Sequence, residues 1–212
     1  GPDTYIGTVE GLEDLSPLAG IESFPEGLSI HDNPDLMTLQ GLNQMSKSSH
    51  LNIRSNPKLE SLQVLSNLRR NKYDLKIGNN ENLQTLEGLG SLEKTGGVQI
   101  TGNDNLTRVA ALDGLEEPKE EMYLIKISRN SKLETIEGFN EIESFTGGLR
   151  ISKNDNLRSI EGFQNLKSVA FIYAKDNPKL PRCEIQRVVD QIEDKDLDVR
   201  ITGNGTGDCG GS

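Results

Sequence analysis

Apolar and polar positions along this chain repeat one phrase, apolar-x-apolar-x-x-Asn-x-x-Leu, as in Leu28, Ile30, Asn33, Leu36 and in Leu149, Ile151, Asn154, Leu157. Its asparagines are Asn33, Asn56, Asn80, Asn103, Asn130, Asn154, Asn177 and Asn204, at intervals of 23, 24, 23, 27, 24, 23 and 27 residues; only Asn204 lacks the following leucine. Self-similarity at such a period marks a solenoid, in which each coil buries its apolar face against its neighbours. Three short sides can be read in each coil. The first is a strand ending before the asparagine, such as Gly97-Val98-Gln99-Ile100, with apolar residues inward and polar ones outward. A second side opens with the leucine after the asparagine, as in Leu83-Gln84-Thr85-Leu86. The third opens with a Gly-Leu or Gly-Phe step: Gly41-Leu42, Gly88-Leu89, Gly114-Leu115, Gly138-Phe139 and Gly162-Phe163. The pattern predicts a mainly β fold, a right-handed β-solenoid of about eight coils. Residues 3–180 form the repeat, and residues 181–212 form a C-terminal helical cap and last coil of the same domain.

Corner chemistry agrees with that division. Proline follows the asparagine in Asn33-Pro34, Asn56-Pro57 and Asn177-Pro178, and glycine relieves sharp or positive-φ bends. The asparagines are expected to turn inward and satisfy backbone groups of adjacent coils, forming a ladder. At the start, Ile6, Val9, Gly11, Leu12 and Leu15 match the second and third sides of a coil, which puts Asp3 in an asparagine position. That phase has the sequence enter part-way through a coil, and Gly1-Pro2 reads as a protease-cleavage remnant. The interval ending at Asn130 holds Glu116-Glu117-Pro118-Lys119-Glu120-Glu121, expected to project as an acidic loop. The interval ending at Asn204 carries Ile185, Val188, Val189 and Ile192 at helical spacing, so a short helix should cover the open end of the core. Leu197 to Ile201 should return as a last strand.

Composition narrows the function. Apolar residues are 33% of the 212, aromatics 4%, and tryptophan is absent, which fits a thin Leu/Ile/Val core. A net charge of −10 excludes a general nucleic-acid binder, which needs a basic surface to displace counterions. No apolar run is long enough for a transmembrane helix. The two cysteines, Cys183 and Cys209, lie in the last 30 residues, far in sequence from His31 and His50, so a disulfide is favoured over a metal site. A loop of that length would gain roughly 3–4 kcal/mol and implies an oxidising compartment, the alternative being two free thiols.

Leu-x-x-Leu-x-Gly-Leu-x-x-Leu, from Leu83 to Leu92, followed by Gly-apolar-x-Ile-x-x-Asn-x-x-Leu, from Gly97 to Leu106, resembles the receptor L-domain family, a leucine-rich-repeat relative. The similarity spans roughly residues 6 to 204. The end from Leu180-Pro181-Arg182-Cys183 to Cys209 looks most like the cap of bacterial secreted or surface members. The resemblance implies an extracellular, cell-surface or periplasmic binding module. The cysteine-rich modules of the receptors are not in this sequence, so it implies no signalling role.

Catalytic and metal motifs are weak. Asp194-x-Asp196-x-Asp198 imitates a calcium loop but has Val199 and Gly205 where glycine and glutamate should stand, so it reads as a turn. Glu87, Glu137 and Glu161 precede corner glycines and read as a solvated stripe, while Asn105-Leu106-Thr107 and Asn204-Gly205-Thr206 are glycosylation sequons. Neither a cofactor nor a metal is expected, and the chain is not read as an enzyme. Attention falls on the outward strand positions. Those four before each asparagine are Ser29, Asn52, Lys76, Gln99, Lys126, Arg150, Tyr173 and Arg200; those two before are His31, Arg54, Gly78, Thr101, Ser128, Ser152, Lys175 and Thr202. None of the sixteen is acidic and six are basic, which predicts a basic, flat face with strands about 4.8 Å apart. Arg54, Lys76, Lys126, Arg150, Tyr173, Lys175 and Arg200 are its candidate contacts for a protein or polysaccharide ligand. The alternative is a structural envelope or spacer component without a specific ligand.

Overall fold

The computed structural model describes residues 3–116, 123–194 and 196–207. Strands Thr4–Gly7, Leu28–His31, Leu51–Arg54, Arg70–Gly78, Lys94–Thr101, Leu124–Ser128, Gly148–Ser152, Phe171–Lys175 and Asp198–Thr202 stack in chain order, all parallel, as the main face of a β-solenoid. Register is strict: Ile6, Ile30, Ile53, Ile77, Ile100, Ile127, Ile151, Ala174 and Ile201 align in one inward column. Short strands Ser23–Phe24 and Lys47–Ser48 extend the sheet around one corner, and Arg108–Val109 pairs with Thr135–Ile136 on another side.

Each coil fills its interior with a few aliphatic side chains. Around Asn56 these are Leu51, Ile53, Leu59, Leu62, Leu65 and Leu68, all 0% exposed. Full burial of such a side chain stabilises by roughly 1.5–3 kcal/mol, so a thin core is offset by repetition. Where the third side opens with Gly-Phe, Phe139 and Phe163 stack with centroids 5.0 Å apart.

The asparagines turn into this core. Asn33, Asn56, Asn80, Asn103, Asn130, Asn154 and Asn177 are each 0% exposed. Each donates its backbone N–H to the next asparagine's Oδ1, for example Asn103 to Asn130 at 3.0 Å, and its Nδ2 to a strand carbonyl of the preceding coil, as Asn130 to Ile100 O at 3.2 Å. The ladder ends at the half-buried Asn204, which accepts from Asn177 N at 3.2 Å. A second buried polar column, Ser48, Asn71 and Thr95, bonds the carbonyl two residues on in each case: Ser48 Oγ to His50 O, Asn71 Nδ2 to Tyr73 O and Thr95 Oγ1 to Gly97 O.

The residue before each ladder position is left-handed. Thr8, Asp32, Ser55, Asn79, Arg129, Lys153 and Asp176 have φ of 52–60°, and Gly102 and Gly203 occupy the same place. This bend is what swings the asparagine inward, at a conformational cost that non-glycine residues normally avoid. Corner glycines serve closeness as much as φ. A Cβ on Gly41 (φ 113°) would sit 1.8 Å from Leu15 O, and one on Gly138, whose φ is ordinary, would sit 2.8 Å from the Ala110 carbonyl carbon.

The first coil corrects the sequence phase. Thr4–Gly7 is a main-face strand in register with Leu28–His31, so Val9 occupies the asparagine position, donating its N–H to Asn33 Oδ1 at 3.2 Å. Asp3 lies before that strand. At the other end, helix Arg182–Asp190 buries Ile185 and Val188 against the core, and Gln191 Nε2 bonds Phe163 O at 2.6 Å. Glu117 to Glu121 of the expected acidic loop, and Cys209, lie outside the described residues. Cys183 Sγ lies 3.5 Å from Gly207 O.

Candidate functional site

The strand face is set by register. Ser29, Asn52, Lys76, Gln99, Lys126, Arg150, Tyr173 and Arg200 form one outward column, and His31, Arg54, Gly78, Thr101, Ser128, Ser152, Lys175 and Thr202 a second. All seven candidate contacts therefore share one face. Arg54, Arg150, Lys175 and Arg200 are exposed, while Lys76, Lys126 and Tyr173 are half-buried.

The face is not uniformly basic. A third outward column, six residues before the asparagines, includes Asp74, Gly97, Leu124, Gly148, Phe171 and Asp198 in register. Its carboxylates pair with the cations beside them: Asp74 with Lys76 Nζ at 3.0 Å and Asp198 with Arg200 at 3.1 Å. From the corner, Asp32 reaches His31 at 2.7 Å and Asp176 stands 4.0 Å from Lys175 Nζ. Among the described residues, Arg54, Lys126 and Arg150 are the candidate cations of the face outside those pairs. A tally of two columns missed the third, because the sequence pattern alone does not show how far along the strand the flat surface extends.

The C-terminal end of the face carries a stacked cluster. Phe171 and Tyr173 lie 4.5 Å apart between centroids; the Arg150 guanidinium sits 5.1 and 5.4 Å from them, and Arg200 lies 4.7 Å from Tyr173. Gly148 makes this possible, since a Cβ there would meet the Phe171 ring at 2.0 Å. Tyr173 donates its hydroxyl to Asp198 at 2.5 Å. That bond holds the Tyr173 phenol above the ordinary tyrosine range and, with the bond from Arg200, holds Asp198 below the ordinary aspartate range. Guanidinium over aromatic faces orders both without consuming the guanidinium donors. The N-terminal end has its own aromatic contact, Tyr5 edge-on to His31 at 4.4 Å.

The other motifs resolve structurally. Asp194 Oδ1 accepts from Asp196 N at 2.9 Å, closing a turn, and Asp198 is committed to Tyr173 and Arg200. Glu137 bonds Thr135 Oγ1 at 2.7 Å and Arg108, which together lower its carboxyl below the ordinary range; Glu87 and Glu161 are exposed. Asn204 of the second sequon spends its Nδ2 on Ala174 O at 2.8 Å, so glycosylation there would break the ladder's last rung. Among the described residues no helix is long and apolar enough to cross a membrane. No protein-family model, curated protein or solved structure matches the chain.

Proposed function

We propose that this chain is a secreted or cell-surface, non-catalytic binding module that recognises a protein or polysaccharide through its strand face. The observation that carries this is the ordered Arg150, Phe171, Tyr173 and Arg200 cluster on a rigid sheet. Aromatic rings and arginines held in place by packing lose little entropy on contact, which is how binding hot spots are built. The reading needs no cofactor, metal or nucleic acid. Membership of the receptor L-domain-like family belongs to the same proposal, supported by the repeat's motifs and by the β-solenoid fold. So does a Cys183–Cys209 cross-link, supported by the approach of Cys183 Sγ to Gly207 O, two residues before Cys209.

Capture of partners from native extracts by immobilised protein tests the reading. The double reversal Lys126→Glu with Arg150→Glu should lower the affinity of a captured protein or glycan by about tenfold or more, the equivalent of about 1.4 kcal/mol. Unchanged capture would remove the strand face from consideration. Thiol titration of the denatured chain before and after reduction decides the cross-link.

A further inference from the structure

We propose that a hollow on the strand face, bounded by His50, Asn52, Tyr73, Asp74 and Lys76, is a subsite for one ring of a neutral polysaccharide. The proposal rests on the reading of the strand face as a binding surface and narrows its ligand. The hollow has a volume of about 320 Å³ and lies toward the opposite end of the face from the arginine cluster.

Three features show that it is built rather than incidental. Tyr73 is 49% exposed and sits in a register break between Asn71 and Asp74, a bulge that lifts its ring out of the strand alternation. Bulges of this kind re-aim side chains beside functional sites. Glycines on both sides keep the walls open. A Cβ on Gly27 would meet the His50 imidazole at 2.2 Å, one on Gly97 would meet Asp74 Oδ1 at 2.7 Å, and one on Gly96 would meet Lys72 O at 2.9 Å. On the floor, the half-buried Asn52 has an amide oxygen shielded from solvent that accepts no hydrogen bond among the described residues. A carboxamide with no internal partner for its oxygen can turn about χ2 and offer a donor or an acceptor to a ligand hydroxyl.

The charges select a neutral ligand. Lys76 is matched by Asp74 at 3.0 Å, and His50 by Asp3 at 2.9 Å, with Ser29 Oγ also donating to Asp3 at 2.7 Å. Asp74 also accepts from Gln99 Nε2 at 3.4 Å. Among the described residues that bound the hollow, each cation is matched by a carboxylate, and the nearby Lys72 Nζ lies over the Tyr73 ring, 4.9 Å from its centroid. What it offers is acceptors and donors at Asp74, Lys76 and Asn52 for ligand hydroxyls, and, beside the Lys72 contact, the exposed part of the Tyr73 ring for the apolar face of a pyranose.

The test uses the intact chain with cello-, malto-, laminari-, manno-, xylo- and galacto-oligosaccharides as neutral probes and polygalacturonate and heparin as acidic ones. Binding is read by calorimetry and saturation-transfer NMR. At least one neutral probe should bind, and Tyr73→Ala and Asp74→Ala should each weaken it by about tenfold, while Glu87→Gln at a remote corner leaves it unchanged. Circular dichroism and melting checks that the variants remain folded. Binding of no neutral probe, preference for the acidic probes, or neutral binding indifferent to both pocket variants would overturn the proposal. If the neutral probes fail while the Lys126/Arg150 reversal still abolishes capture, the hollow is wrong and the wider reading stands.

Discussion

Replacing Asn130 by alanine isolates the energetic role of the ladder. Its Oδ1 accepts from Asn103 N at 3.0 Å, and its Nδ2 reaches Ile100 O, Ser128 O and Asn154 Oδ1, each at 3.2 Å. Alanine strands the Asn103 N–H in a site that is 0% exposed and takes a donor from Ile100 O. An unpaired buried group costs about 1–3 kcal/mol, so two such losses predict a destabilisation of about 2–6 kcal/mol. Urea unfolding with linear extrapolation measures it, and Asn204→Ala supplies the control. Asn204 is half-buried, so water can replace its bonds, and the loss there should be nearer about 1 kcal/mol. Asn130→Asp adds a pH signature. Burial would raise the new carboxyl's folded pKa above its unfolded value of about 3.9, so the penalty should be small below that pH and grow as pH rises through the folded value. A loss below about 1 kcal/mol for Asn130→Ala, or equal losses at Asn130 and Asn204, would refute the view that buried backbone satisfaction by the ladder holds the coils together.

Backbone conformation and a surface ion pair set three further outcomes. Lys153, exposed and at φ 57°, should become more favourable as glycine by up to about 1 kcal/mol, seen as a higher urea midpoint. Gly41→Ala should destabilise by at least about 2 kcal/mol in the same assay, because it combines a positive φ with a Cβ 1.8 Å from Leu15 O. The Asp35 carboxyl, held below the ordinary aspartate range by bonds from Lys58 and from Gly11 N, should titrate low by NMR and return toward normal in Lys58→Met. Its small contribution to stability is present at neutral pH and lost as pH falls through that lowered value.

The sequence carried the period, the strand columns and the capping helix because each is written in chemistry that repeats: an amide, alternating aliphatics, and Ile185 with Val188 at helical spacing. The first coil was mis-phased by six residues, from Asp3 to Val9, because Ile6, Val9, Leu12, Leu15, Leu18 and Ile21 recur every three residues, so a shift by a multiple of three leaves most apolar matches intact. Only backbone pairing shows that Thr4–Gly7 is a main-face strand. The left-handed column was invisible for a different reason. Thr8, Asp32, Ser55, Asn79, Arg129, Lys153 and Asp176 share a conformation imposed by the ladder and no side-chain chemistry. Likewise the hollow at Tyr73 depends on a register break that no residue type announces.

The asparagine ladder also sets how the molecule responds to tension. Each rung joins only adjacent coils, so a pull on the two ends loads the rungs in series and the terminal coil yields first. Asn204 and Val9, the two ends of that series, each bond to a single neighbouring rung. Extension should therefore proceed by peeling, with each released coil of about 24 residues adding roughly 80 Å of chain. A force–extension trace would show a row of evenly spaced drops rather than one rupture.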